Sequence, residues 1–110
     1  MAYDEDLGDR LRVATQQVDA LTERRMFGGL AFLVHGNMAV AASSHDGLML
    51  RVDPDRTESF LAEPGTAPMV MRGRETRGWL RVEASAVESD EALQRWVDLG
   101  VAYAAALPPK

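Results

Sequence analysis

Between positions 26 and 82 the chain alternates apolar runs of strand length with clusters of Gly, Asn, Asp, Ser and Pro, a punctuation that calls for an antiparallel sheet built from hairpins. Residues 26–34 are nearly continuous apolar sequence with two glycines, too short for a typical helix, and they run into the turn signal His35-Gly36-Asn37. Residues 38–43 form the return strand. Ser44-His45-Asp46-Gly47 makes a second turn, with Asp46 or Gly47 suited to a positive φ, and residues 48–52 add a third strand to complete a meander. Asp53-Pro54-Asp55 opens a short helix over 57–62, which Pro64-Gly65 halts. Residues 69–71 and 78–82 then pair as a second hairpin around Arg72-Gly73-Arg74-Glu75-Thr76-Arg77.

Helical stripes bracket the sheet. Leu7, Leu11, Ala14, Val18 and Leu21 recur at spacings of 4, 3, 4 and 3, one face of a helix capped by Asp4, with Glu5 and Asp6 favoured in its first turn by the helix dipole. At the other end Ser89 starts a helix whose stripe is Leu93, Trp96, Val97, Gly100, Val101 and Ala104, stopped by Leu107-Pro108-Pro109. The expected order is α-β-β-β-α-β-β-α: an α+β, two-layer sandwich with an antiparallel sheet of about five strands and the helices mainly on one face. With no repeat or linker, residues 1–110 read as a single domain.

Composition removes several chemistries. The absence of cysteine excludes disulfides, thiolate catalysis and Cys-ligated zinc, and fits a reducing compartment. The N-terminal Met1-Ala2-Tyr3-Asp4-Glu5-Asp6 is acidic where a signal peptide would be basic, and no apolar run approaches the ~18 residues a membrane span needs, so the expected location is cytoplasmic. A net charge of −5 disfavours general polyanion binding.

No catalytic, metal or cofactor constellation emerges, and the expected function is non-enzymatic. Gly28-Gly29 lacks the third glycine and helix start of a phosphate loop; a glycine in a strand instead marks close approach by a backbone or by a ring such as Phe27 or Trp79. His35 and His45 fall in turns at opposite ends of one strand, too far apart to share an ion. Ser43, Ser44 and His45 adjoin in sequence without a nucleophile-elbow pattern, and Asp53 and Asp55 read as helix caps around Pro54.

Two surfaces stand out. Alternation sets Met49 and Arg51 against Leu48, Leu50 and Val52, and Trp79 and Arg81 against Leu80 and Val82. If the helices cover the Leu/Val face, the other presents Met49, Arg51, Trp79 and Arg81, types enriched at protein interfaces. The competing arrangement covers that face with the short helix at 57–62. The alternative surface is a basic patch of Arg72, Arg74 and Arg77 for nucleic acid or a phosphate ligand, disfavoured by the nearby Glu75, Glu83 and Glu88.

The order of Met26-Phe27-Gly28-Gly29 after a helix, Gly36-Asn37-Met38 at a hairpin, Leu48-x-Leu50-Arg51-Val52, Gly78-Trp79 and a closing helix with Trp96 resembles the N-terminal domain of the TfoX (Sxy) competence-regulator family over positions 3–109. The resemblance implies a secretion-chaperone-like sandwich and no cofactor. The family's best-known members are non-enzymatic regulators of bacterial competence genes that work beside a cyclic-AMP-responsive transcription factor. They carry a second, C-terminal domain; this chain reads as a stand-alone member. The implied partner is a protein, a transcriptional regulator or a second copy of the chain.

Overall fold

The computed structural model describes residues 4–26, 28–44 and 47–109. Helix α1, Glu5–Ala14, begins where Asp4 caps it: the carboxylate accepts from the Asp6 N–H at 2.9 Å and the Leu7 N–H at 3.4 Å. It ends at Ala14, about two turns short of the stripe's end at Leu21. Thr15 is buried and its hydroxyl donates back to the Leu11 carbonyl at 2.8 Å. Val18 and Leu21 still pack against the core, but from a loop and a strand. Their helical spacing is a coincidence of sequence.

Leu21 opens a strand that the alternation did not reveal, β1 (Leu21–Met26), four of whose six residues are exposed. It lies at the sheet's edge, where charge is tolerated on both faces and the hydrophobic alternation is weak. The remaining strands are β2 (Gly29–Val34), β3 (Asn37–Ala42), β4 (Leu48–Arg51), β5 (Thr66–Met71) and β6 (Arg74–Val82), with α2 (Thr57–Leu61) between β4 and β5 and α3 (Asp90–Ala106) closing the chain. All pairs are antiparallel, in the order β1-β2-β3-β4-β6-β5. The sheet therefore has six strands rather than about five.

The extra strand changes the meaning of the first glycine motif. Met26 ends β1, Gly28 sits in the turn at φ 74°, and Gly29 opens β2, so the segment is a hairpin corner and not the opening of the sheet. Phe27 lies outside the described residues. A side chain at Gly29 would run into the Ala42 carbonyl oxygen, so among the described residues the close approach expected there comes from the backbone of β3.

Leu7 and Leu11 of α1, Phe60 of α2 and Leu93, Trp96 and Val97 of α3 join Leu30, Phe32, Val40, Leu48, Leu50, Leu80 and Val82 in one buried cluster. All three helices thus lie on one side of the sheet. The short helix does not cross to the other side: Phe60 meets Trp96 edge to face, ring centroids 5.9 Å apart. A bulge between Phe32 and Leu33 leaves Ala39 as an extra residue in β3, where it packs on Val34 and Ala104. Gly100 lets α3 settle onto that bulge, since a Cβ there would stand 2.6 Å from the Ala39 carbonyl oxygen. Asn37, expected in a solvated turn, is buried, and its amide donates to the Pro108 carbonyl at 3.0 Å, tying down the C-terminal segment.

The second hairpin is longer than its apolar runs. Arg72 and Gly73, both at positive φ, form its two-residue turn, and positions 74–77 belong to β6 instead of a loop. The register slips between Pro68 and Val70, and Gly78 at φ 88° takes up the irregularity in β6. The Gly78 N–H donates to the Thr57 hydroxyl at 2.9 Å and its carbonyl accepts from Val52 at 2.8 Å, which pins the start of α2 to the sheet.

Candidate functional site

On the side away from the helices, Ala31, Leu33, Met38, Ala41 and Met49 form a second cluster, with Met26, Met69 and Trp79 packed against it; every member comes from a strand. Met49 pairs with Arg81 and Arg51 with Trp79 across β4 and β6. Directly opposed residues share a face, so the sequence expectation that these four sit together matches the register. Arg24, opposite Ala31 on β1, belongs to the same face.

The face is not a flat apolar plate. Met38 and Met49 are 9% and 7% exposed, while Trp79, Arg51 and Arg81 are half-buried around them. Met49 is therefore floor, and the residues presented are the ring and the guanidinium groups. The Arg51 guanidinium lies 5.4 Å from the Trp79 ring centre and 5.8 Å from that of Tyr103 on α3, so this cation joins the bare face to the helix layer.

Part of the face is hollowed into a cleft of about 510 Å³. Met26 and Met69 form its apolar walls, Met49 and the small Ala41 its floor, and Arg72 and Arg81 supply its charge. Val70, 57% exposed, stands on its rim. None of its described lining residues is acidic.

Charge is divided between the two layers. The central strands β2, β3 and β4 contain no acid. Glu23 of β1 turns towards α1, where Arg12 Nε donates to it at 2.9 Å, and Glu75 lies on the exposed tip of the β5–β6 hairpin opposite Val70. The other described acids lie on helices, caps and loops. There Arg95 of α3 grips Glu63 with two contacts of 2.7 Å, and these hydrogen bonds hold the Glu63 carboxyl below its ordinary pKa and raise that of Arg95. Arg12, bonded to Glu23 and Asp9, is likewise raised.

The other expected basic site does not assemble. Arg77 donates to the Pro54 carbonyl at 3.0 Å and lies 3.8 Å from Asp55, while Arg72 is at the hairpin tip on the cleft. Arg74 is exposed at the start of β6. Asp53 caps the turn Pro54–Arg56, accepting from the Asp55 N–H at 2.9 Å. His35 is exposed in the β2–β3 turn; His45 and Asp46 lie outside the described residues. Among the described residues no group of three acidic or histidine side chains comes together as a metal would require. No described helix is long and apolar enough to cross a membrane.

Sequence reasoning missed Met26, Met69, Val70 and Arg72 as neighbours of Met49 and Arg81. The bulges that bring them together leave no periodic signal. A faint one did exist for Arg24, in the alternation of Thr22, Arg24 and Met26 along an otherwise charged segment.

A six-stranded antiparallel sheet with three helices on one side and a basic, methionine-rich opposite side defines a two-layer α+β domain. The chain belongs to the TfoX N-terminal domain family, whose model matches residues 14–104. Neither the curated proteins nor the solved structures include a significant match to the chain.

Proposed function

We propose that the domain is a non-enzymatic regulatory module that works in the cytoplasm by binding another protein through the helix-free face of its sheet. One observation carries this: in a chain of net charge −5, that face gathers Arg24, Arg51 and Arg81 around a methionine cluster, and its central strands hold no acid. Methionine adapts to varied partners, and Trp and Arg anchor interfaces. Family membership supports a regulatory role, since the family's best-known members act on bacterial competence genes beside a transcription factor. A face-to-face pair of identical copies would oppose like charges, so the arrangement favours a different, acidic protein.

The test is capture from native extract with the whole chain as bait, alongside Arg51→Glu/Arg81→Glu. A specific partner retained by the native chain and lost by the double variant is the expected result. Identical capture by both baits, with the variant still folded by circular dichroism, refutes the assignment to this face. Light scattering on the native chain should show a monomer.

A further inference from the structure

We propose that the cleft on this face receives a short, acidic and apolar peptide segment of the partner, with one aliphatic or aromatic side chain seated among Met26, Met49 and Met69 and flanking carboxylates held by Arg72 and Arg81. The proposal rests on the protein-binding reading above and names the chemistry of the recognised segment. Its volume, about 510 Å³, lies in the range of sites that enclose a ligand-sized group, and it is large enough for a bulky side chain with its neighbours.

Depth comes from the fold. Ala41, opposite Met49 on the same face, is small where a larger residue would fill the floor, and Gly29 tolerates no side chain because the Ala42 carbonyl is already against it. Three unbranched thioether side chains line the cleft, and these change shape to suit an inserted group more readily than branched ones.

Charge selects the occupant. Arg81 is fixed on β6 opposite Met49 and Ala67, and Arg72 is fixed by a two-residue turn at φ 53°. Neither has an ion pair among the described residues, in contrast to Arg12, Arg77 and Arg95. Planar guanidinium groups held at the rim of an apolar cavity recognise carboxylates by paired hydrogen bonds. A nucleic acid is the poorer fit: the described lining offers no aromatic ring on which a base could stack, and Arg77 is turned away to Pro54. β5 is the sheet's last strand, so a segment entering over Val70 also meets main-chain groups that no other strand pairs.

Panning a random phage-displayed peptide library on the native 110-residue chain tests this, followed by titration of the strongest synthetic peptide against Arg72→Gln and Arg81→Gln. Enriched peptides should combine Asp or Glu with Leu, Ile, Phe or Met. Affinity should fall about tenfold or more in each variant, the loss of one charge-assisted contact, and weaken as salt rises. Enrichment of basic or uncharged peptides, no enrichment, or equal affinity of an acidic peptide for both variants and the native chain overturns the proposal. The two levels separate cleanly: a protein lost on Arg51→Glu/Arg81→Glu but retained by Arg72→Gln, with no acidic peptide selected, leaves the face as an interface and removes the cleft from it.

Discussion

The two sides of one sheet are both rich in apolar residues, yet they do different work. On the helix side Phe32, Leu48, Leu50 and Leu80 are fully buried beneath Leu11, Phe60, Trp96 and Val97, and the layer above them is closed by Arg95 on Glu63. On the other side Met49 and Met38 are nearly as buried, but among the described residues their apolar neighbours all come from strands. Among the described cluster residues methionine is confined to the second side, where it outnumbers Leu33 and Trp79, while Leu, Val, Phe and Trp fill the first. Rigid packing between two layers favours residues with few rotamers, whereas a surface that must adapt favours flexible ones.

Cutting the same kind of hole on each side would break this comparison most directly. Phe32→Ala, at the centre of the closed layer, should cost about 3–5 kcal/mol, whereas Met49→Ala, on a cleft that solvent can enter, should fall at the low end for its type, about 2 kcal/mol. Chemical denaturation measures both, and equal losses would mean the bare face is core in all but name.

A smaller effect probes how the closed side is held shut. Gly100→Ala improves local helix propensity but drives a methyl into the Ala39 carbonyl oxygen, so it should destabilise by about 1–2 kcal/mol. Thermal unfolding reads it, and a raised Tm would show that α3 can lift off the bulge freely.

The smallest effect sharpens the electrostatic contrast between the layers. Arg95 holds Glu63 ionised below its ordinary range, so the pair stabilises the fold above the unfolded carboxylate pKa and loses that contribution as pH falls through the lower folded value. Being part-exposed, it is worth only about 0.5–1 kcal/mol. Glu63→Gln should be less stable than the native chain by that amount at neutral pH and equal to it in acid. A gap that persists in acid would mean packing, not charge, joins α3 to the end of α2.

Much of this architecture was legible in residue order. Asp4, Ser89 and the Asp53-Pro54 pair start elements where their capping chemistry requires, and the Leu/Val alternation in residues 48–52 and 78–82 assigns Met49, Arg51, Trp79 and Arg81 to one face. Strand β1 was not legible, because Leu21-Thr22-Glu23-Arg24-Arg25-Met26 has the composition of a solvated helix end and becomes a strand only by pairing with β2. The same holds for the basic segment: Arg72, Arg74 and Arg77 are close in sequence, but a tight turn and the bulge at Gly78 send Arg77 to Pro54 and Arg72 to the cleft.

By itself, then, the sequence determined the caps, the turns after β2 and β3, the two layers and which side chains share a strand face, since these follow from interactions within a few residues. Only the tertiary structure decided that β1 exists, that Gly29 answers to the Ala42 carbonyl, and that Met26, Met69 and Arg72 join Met49 and Arg81 around one cleft. Strand pairing and bulges set those distances, and they join segments far apart in the chain through backbone groups that every residue carries alike.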